Sequence, residues 1–510
     1  MTKIKFYFIL VGLACSLFLS AIDSTIVATA MPKILEEFKQ FQSISLPSVA
    51  YMLALCTLAP IYGRLSDILG RKPVILSAIV LCVAGSVMCG AAKSFTVLTV
   101  GRAIQGAGGA GMFALPLILI ADLSPPRQAS VYISLMGVVV ALSTVMGPIL
   151  GGAFAVSETL TWRSSFYLNG PVGFVAVVIL FFFLHIPPMH LTVWTRLGTL
   201  DYGGAFIFVV AMTCLLLAFS WGGLDYPWSD KIIIILLCVG IVMTVVFVVY
   251  EIKVAKDPLI PMRLFRNRNL VIAILVNVSI GVAMYGTVYY IPLYWAYVHQ
   301  LDSVQSGLRL LPFMLSVSLS SGVCGAICSK RGYYRWFIRI GAVLMCAFFT
   351  SLKVIETDKY TLGMHIGLLV GAGIGVGMCF QPATVAAQAA VEPEDMAVAT
   401  TLLSFFRTVA AVIGLSVQNS ILFNKLGNLL KEAIMEAGGQ LPGGLPAGAA
   451  VDASEILKGG EEVLRQLPKE QFAIFAHAFT KALGWVFLGT MPFVAIGIFA
   501  SVFMKHIPLR

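Results

Sequence analysis

The 510-residue sequence is 59% hydrophobic and only 11% charged, against roughly 25% charged residues in an ordinary soluble domain, which excludes a water-borne globular protein. Its formal charge of +10 is spread over short connections, which argues against a nucleic-acid partner. The lipid bilayer is the expected solvent for most of the chain.

Apolar runs of about 18 residues or more, long enough to cross a hydrocarbon core of about 30 Å, recur from end to end. The first covers 6–30. Lys3 and Lys5 ahead of it imitate a secretory signal, but the run is too long for one, so a retained first span is expected. Further spans are expected at 47–69, 73–92, 95–121, 131–156 and 166–186, then two at 202–221 and 232–250. Six more follow at 270–298, 306–328, 336–355, 361–391, 398–424 and 483–504. The fold class expected is therefore all-α membrane protein: a six-helix bundle over 1–187, two additional spans with their loops over 188–268, and a second six-helix bundle over 269–510.

Lys and Arg residues favour one side of this layout more than twofold, with Lys3, Arg64, Arg71, Lys72, Arg263 and Arg266 among them. The positive-inside rule then places both termini in the cytoplasm. A long outer connection at about 425–481, rich in Gly and Pro around 438–444 and amphipathic over 455–467, is expected to be partly flexible and extracytoplasmic.

Five strings carry chemistry. The first span contains Ala21-Ile22-Asp23-Ser24-Thr25-Ile26, whose Asp23 is the only acid well inside an N-half span. A neutral acid is far cheaper in lipid than a carboxylate, so Asp23 is the natural proton carrier; the competing reading is a wet interfacial cap on the residues that follow. The turn Gly63-Arg64-Leu65-Ser66-Asp67-Ile68-Leu69-Gly70-Arg71-Lys72-Pro73 combines a small contact residue, a helix-end acid, a turn glycine and a proline suited to a first helical turn. Gly101-Arg102-Ala103-Ile104-Gln105-Gly106 puts an arginine inside the fourth span. It needs a partner or an aqueous cavity unless it snorkels to the interface. Gly147-Pro148-Ile149-Leu150-Gly151-Gly152 describes a kinkable helix that packs closely. Phe406-Arg407-Thr408 brings a second arginine into the thirteenth span, after Gln381, Pro382 and Gln388 in the twelfth.

Two groups read as structural. Gly363, Gly367, Gly371 and Gly375 recur every four residues as a smooth ridge for a neighbouring helix. Tyr285, Tyr289, Tyr290, Tyr294, Trp295 and Tyr297 suit an interfacial aromatic belt, with Tyr285 and Tyr289 as candidates for a cavity wall.

Residues 63–73 resemble the signature loop of the major facilitator superfamily, and the strings at Asp23, Arg102 and Gly147 are similar to the first-, fourth- and fifth-helix motifs of its fourteen-span drug/proton antiporter branch. Met31 stands where the first-helix pattern usually has leucine, and the second-half copy of the loop, 325–335, lacks the aspartate. The joining segment Asp257-Pro258-Leu259-Ile260-Pro261 and the phrases near Gln381 and Thr400 look like fungal members.

The resemblance implies a monomeric secondary transporter without cofactor, metal or enzymatic activity, whose partners are a small organic substrate and protons. Asp23 and Arg102 would couple the proton. Gly63, Asp67, Gly70 and Arg71 would gate, and Gly147, Pro148, Gly151 and Gly152 would mark an antiporter. Gln105, Tyr285, Tyr289, Gln381, Gln388 and Arg407 would line the substrate cavity. The function implied is efflux of toxins, metabolites or drugs across the plasma membrane, with proton-coupled import of basic amino acids into the vacuole as the alternative.

Overall fold

The computed structural model describes residues 3–38, 46–156, 161–185, 201–223, 226–255, 258–301, 303–353, 361–392, 395–436, 469–505 and 507. Helices dominate them in chain order: α1 Lys3–Phe38, α2 Leu46–Leu69, α3 Arg71–Gly90, α4 Phe95–Leu123, α5 Pro126–Val156 and α6 Asn169–Phe183, then α7 Tyr202–Trp221 and α8 Lys231–Lys253. After a 3-10 turn at Met262–Arg266 come α9 Arg268–His299, α10 Leu311–Arg331, α11 Tyr334–Ser351, α12 Leu362–Ala390, α13 Met396–Glu436, α14 Lys469–Gly489 and α15 Met491–Val502. Among the described residues, 12 segments are long and apolar enough to cross a membrane, α14 and α15 forming one of them. Two more helices, α5 and α11, occupy the places expected for the fifth and eleventh spans.

Each half packs around its own core. Ile9, Leu13, Ile79, Cys82, Leu115 and Leu180 centre the first, and Ile280, Phe313, Met345, Val376, Phe479 and Val486 the second. The halves meet where α5 lies on α10 and where α2 and α4 lie on α13. The α7–α8 pair is an appendage on that seam, since α7 touches both α2 and α13 while α8 leans on α7. Apolar side chains project outward from α8, Ile235, Ile241 and Val245 among them, as lipid requires of a peripheral helix.

Glycine fixes the turns. Gly70 between α2 and α3 has φ +95°, and Gly332 after α10 has φ +74°, both in the left-handed region that a Cβ disfavours. The α2–α3 turn and its second-half counterpart are thus built alike, although the second lacks the aspartate.

Several expectations are corrected. The outer connection is shorter than 425–481, because α13 continues to Glu436 and α14 begins at Lys469. Leu426 and Leu430 on one extension share a buried cluster with Phe475 and Phe479 on the other, so packing stabilises both helices past the apolar spans. Residues 437–468, which hold the amphipathic piece, lie outside the described residues. The four-residue glycine ridge divides in use. Gly371 and Gly375 meet Phe348 and Met345 of α11, whereas Gly367 faces open space. The aromatic belt also fails for three members: Tyr290, Tyr294 and Trp295 are buried in the second core. Each has a polar handle to satisfy, and Tyr290 donates to Asn419 Oδ1 at 2.6 Å while Trp295 Nε1 donates to His365 Nε2 at 3.1 Å.

Candidate functional site

Asp23 lies in the body of α1 and is 0% exposed, not a cap at a wet interface. Four helices converge on it. Gln105 Nε2 of α4 donates to Asp23 Oδ2 at 2.7 Å, and Asn169 Nδ2 at the start of α6 donates to Oδ1 and Oδ2 at 2.8 and 3.0 Å. Both amides also reach Ser86 Oγ of α3 at 2.8 Å. The Cys82 thiol, one turn earlier on α3, approaches Oδ2 at 3.8 Å. Every polar neighbour presents a donor to Asp23, an arrangement suited to the ionised carboxylate.

Arg102 is 1% exposed, so it does not snorkel. Its Nη1 donates to Gln105 Oε1 at 2.7 Å, its Nη2 to the main-chain oxygen of Asp23 at 3.0 Å, and its Nε to Pro47 O at 3.4 Å. The guanidinium also lies 4.2 Å from the centroid of the Tyr51 ring, a cation–π contact of value in a desolvated site. Gln105 therefore bridges the two charges, and the cluster is neutral as a whole. That makes burial of both ions tolerable, since each has several hydrogen-bonding partners.

The helices can converge because α4 carries glycine where it crosses its neighbours. A Cβ on Gly106 would lie 2.9 Å from backbone atoms of Tyr51 on α2. Gly147 does the same for α5 against α1, where a Cβ would meet the Thr25 side chain and come within 3.1 Å of Ile26 N. Gly151 and Gly152 are buried on the same helix, and the Pro148 side chain lies outside the described residues.

At the helix ends around 63–73, Arg71 forms an ion pair with Asp67 and another with Asp122 Oδ2 at the far end of α4, the latter at 2.9 Å. Arg71 Nη1 also donates to Ser66 Oγ at 2.5 Å. Arg64 crosses the seam, donating from Nη2 to the carbonyl of Pro258 at 2.5 Å. Gly63, Arg64, Asp67 and Arg71 line a cleft with Leu259, Ile260, Val398, Thr401 and Leu402. Asp257 lies outside the described residues.

A second cleft opens between α2, α4 and α13, lined by Cys56, Ala59, Phe113, Ala114, Thr400, Ser404 and Thr408 among others. None of the six expected cavity residues lines it or its neighbour. Gln105 is instead sequestered beside Asp23. Gln381 is buried, and Gln388 Nε2 donates to Thr400 Oγ1 at 3.1 Å. Arg407 is 7% exposed, sits 4.5 Å over the Phe380 ring and reaches Asn277 Oδ1 at 3.4 Å. Tyr289 is 49% exposed and Tyr285 half-buried. Sequence reading missed Asn169 and Ser86 beside Asp23, and the hydroxyl row Thr400, Ser404 and Thr408. The row has a signal, its four-residue period, which places it on one face of α13. Among the described residues no three His, Cys, Asp or Glu side chains assemble a metal site.

Fold and site together are those of a multi-pass membrane transport protein. The chain belongs to the Major Facilitator Superfamily, whose profile matches residues 13–415. It is 31% identical over 514 residues to an MFS-type transporter of Claviceps purpurea, across 99% of this chain and 85% of that one. It is 32% identical over 474 residues to the efflux pump aflT of Aspergillus parasiticus, across 92% and 89% of the two. The fold matches a bacterial homolog of the human lysosomal transporter Spinster, solved inward-facing and unoccupied, with TM-score 0.61 at 16% identity over 98% of each chain.

Proposed function

We propose that this protein exports small organic molecules in exchange for protons, by alternating access between the halves 1–187 and 269–510 around their seam, as a monomer. The observation that carries the reading is the Asp23 cluster. A single buried carboxylate, opposed through Gln105 by Arg102, is held by donors from α3, α4 and α6. Loading a proton on Asp23 removes the charge those donors address and leaves Arg102 uncompensated, so protonation favours an arrangement in which the four helices have shifted. Such differential affinity between two arrangements is what coupling requires.

Relatives and charge bias support a direction and a location. The name of the Aspergillus relative, efflux pump, supports export, as does the Gly147 string on α5 where the halves meet; the Lys/Arg bias supports cytoplasmic termini and a cytoplasmic 63–73 turn, and the membrane we propose is the plasma membrane. The cleft between α2, α4 and α13, walled by apolar, cysteine and hydroxyl side chains, suits amphipathic neutral compounds better than basic amino acids, which would want a carboxylate there. One proton moving down ~100 mV supplies about 2.3 kcal/mol and one pH unit about 1.4, enough for a several-hundred-fold gradient of a neutral substrate. Substrate-dependent proton movement in proteoliposomes, screened with toxins, drugs, Lys and Arg, tests the reading. Proton release from acid-loaded vesicles on addition of an organic substrate supports it, and proton movement with Lys or Arg alone would replace it.

A further inference from the structure

The two added helices carry a pair of acids that the Asp23 reading does not use. Asp201 starts α7, accepting from Gly204 N through Oδ1 at 2.8 Å, and the Tyr250 hydroxyl of α8 hydrogen-bonds to its carboxylate. Glu251, near the end of α8, is 4% exposed; its Oε1 accepts from Leu259 N at 3.1 Å, and the Ile260 backbone N–H also bonds its carboxylate. The two carboxyl groups converge on Gly204, where a methyl group would touch Asp201 Oδ2 and lie 3.2 Å from Glu251 Oε1. Tyr250 faces Asp201 from α8, and Arg64 faces Glu251 from α2. Arg64 Nη2 is spent on Pro258 O, and its buried Nε makes no hydrogen bond. Two adjacent acids in a low-dielectric setting repel one another when both are ionised, and one proton on Glu251 removes that repulsion.

What the pair holds gives it a role. Glu251 grips the segment Pro258, Leu259 and Ile260 from one side while Arg64 grips it from the other, and Leu259 and Ile260 form one wall of the cleft at Gly63, Asp67 and Arg71. We propose that Glu251, with the Asp201 carboxylate beside it, binds one proton, and that this proton fixes the 258–260 segment in the cleft between the halves. With the proton bound, Glu251 still accepts from Leu259. With both acids ionised, repulsion parts the ends of α7 and α8 and draws the segment out. The orientation proposed above serves only to name the cytosol as the compartment whose pH is read.

The test is the mobility of a nitroxide on Met262→Cys, beside the segment, in purified full-length protein carrying Cys238→Ala so that this exposed thiol takes no label, in lipid nanodiscs titrated from about pH 5 to about pH 9. Mobility should rise with pH in the otherwise wild-type chain, stay low throughout in Glu251→Gln, which keeps the acceptor without the charge, and stay high throughout in Glu251→Ala. Asp23→Asn should leave the titration unchanged, so loss of the Asp23 mechanism and loss of this one are distinguishable. A pH-independent signal in the wild-type background, or a full titration surviving in Glu251→Gln, would overturn the proposal.

Discussion

Arg102 binds the main-chain oxygen of Asp23 at 3.0 Å and not its carboxylate, which it reaches only through Gln105. The arginine thus anchors the α1 backbone whether or not the acid is charged, and only the Gln105 amide joins the two side chains. A direct ion pair would lock the acid in its ionised form; a bridged one leaves it able to exchange a proton as the helices move.

Asp23→Asn is expected to abolish uphill transport while preserving substrate counterflow, because exchange down equal gradients needs no net proton movement. Asparagine keeps the shape and can hold Gln105 through its carbonyl. Assay of both activities in purified, reconstituted protein decides it: proton-driven accumulation at the wild-type level would move the proton site elsewhere.

Replacing an amide should weaken coupling without emptying the site. Gln105→Leu removes the bridge and Asn169→Leu removes two donated bonds, each hydrogen bond to a charged group being worth about 1.5–3 kcal/mol. Proton-driven transport should fall about 10-fold to 100-fold at matched expression, with Ser86→Ala milder because it contacts the amides and not the acid. An undiminished initial rate in Gln105→Leu would separate Arg102 from coupling.

The all-helical membrane fold and the isolation of Asp23 and Arg102 were legible because the bilayer makes apolar length and buried charge conspicuous in a sequence. Asn169 was not, since a single amide at a helix start costs little and breaks no pattern. The asymmetric fate of Gly367 and Gly371 was hidden for a different reason: periodicity shows that a helix face is small, not what lies against it. The belt misreading of Tyr290, Tyr294 and Trp295 has the same origin, because amphipathic rings suit a lipid interface and a core with polar partners equally well. Glu251 was passed over because it stands at the end of an apolar run, where an acid reads as solvated.

Gly106→Val should damage assembly and not chemistry. Its branched side chain would collide with the Tyr51 carbonyl, which a Cβ alone already overlaps, and overpacking of this kind costs roughly 1–3 kcal/mol. Thermal unfolding of the detergent-solubilised variant should begin lower than wild type, with Gly137→Val, where a Cβ meets nothing within 4 Å, nearly unchanged. Equal stability of the two would show that α2 and α4 can part freely.

On the face opposite the 63–73 turn, Glu37 accepts from Arg163 Nη1 at 3.0 Å and Trp162 Nε1 at 2.6 Å, tying the end of α1 to the approach to α6. The Arg163 guanidinium holds the Glu37 carboxyl below its usual range. The folded-state value being depressed, the stabilisation is present above the unfolded value and is lost as pH falls through the folded one. The pair is exposed, so Glu37→Gln should cost roughly 0.2–1 kcal/mol at neutral pH. In melting curves against pH, the gap between variant and wild type should narrow only on the acid side of the normal glutamate range; a gap independent of pH would mean that shape and not charge matters there.

Asp67→Asn tests the latch at the signature turn. Arg71 is held by Asp67 on its own turn and by Asp122 at the end of α4, so removing Asp67 leaves one anchor and the protein should insert normally. Arg71 also donates to Ser66, and its position beside Leu259, Ile260 and Thr401 makes it part of the wall between the halves. With one carboxylate gone the guanidinium swings toward Asp122, the wall loosens, and the balance between the closed and open arrangements shifts. A partly exposed ion pair is worth little in stability, whereas a change of 1.4 kcal/mol between two working states is tenfold in their populations. Turnover should therefore drop several-fold with melting temperature nearly unchanged, and Asp67→Asn with Asp122→Asn should be slower still, because Arg71 then has neither partner. Wild-type turnover in the double variant would remove the latch from the mechanism, and a large drop in melting temperature in the single variant would recast Asp67 as a folding residue.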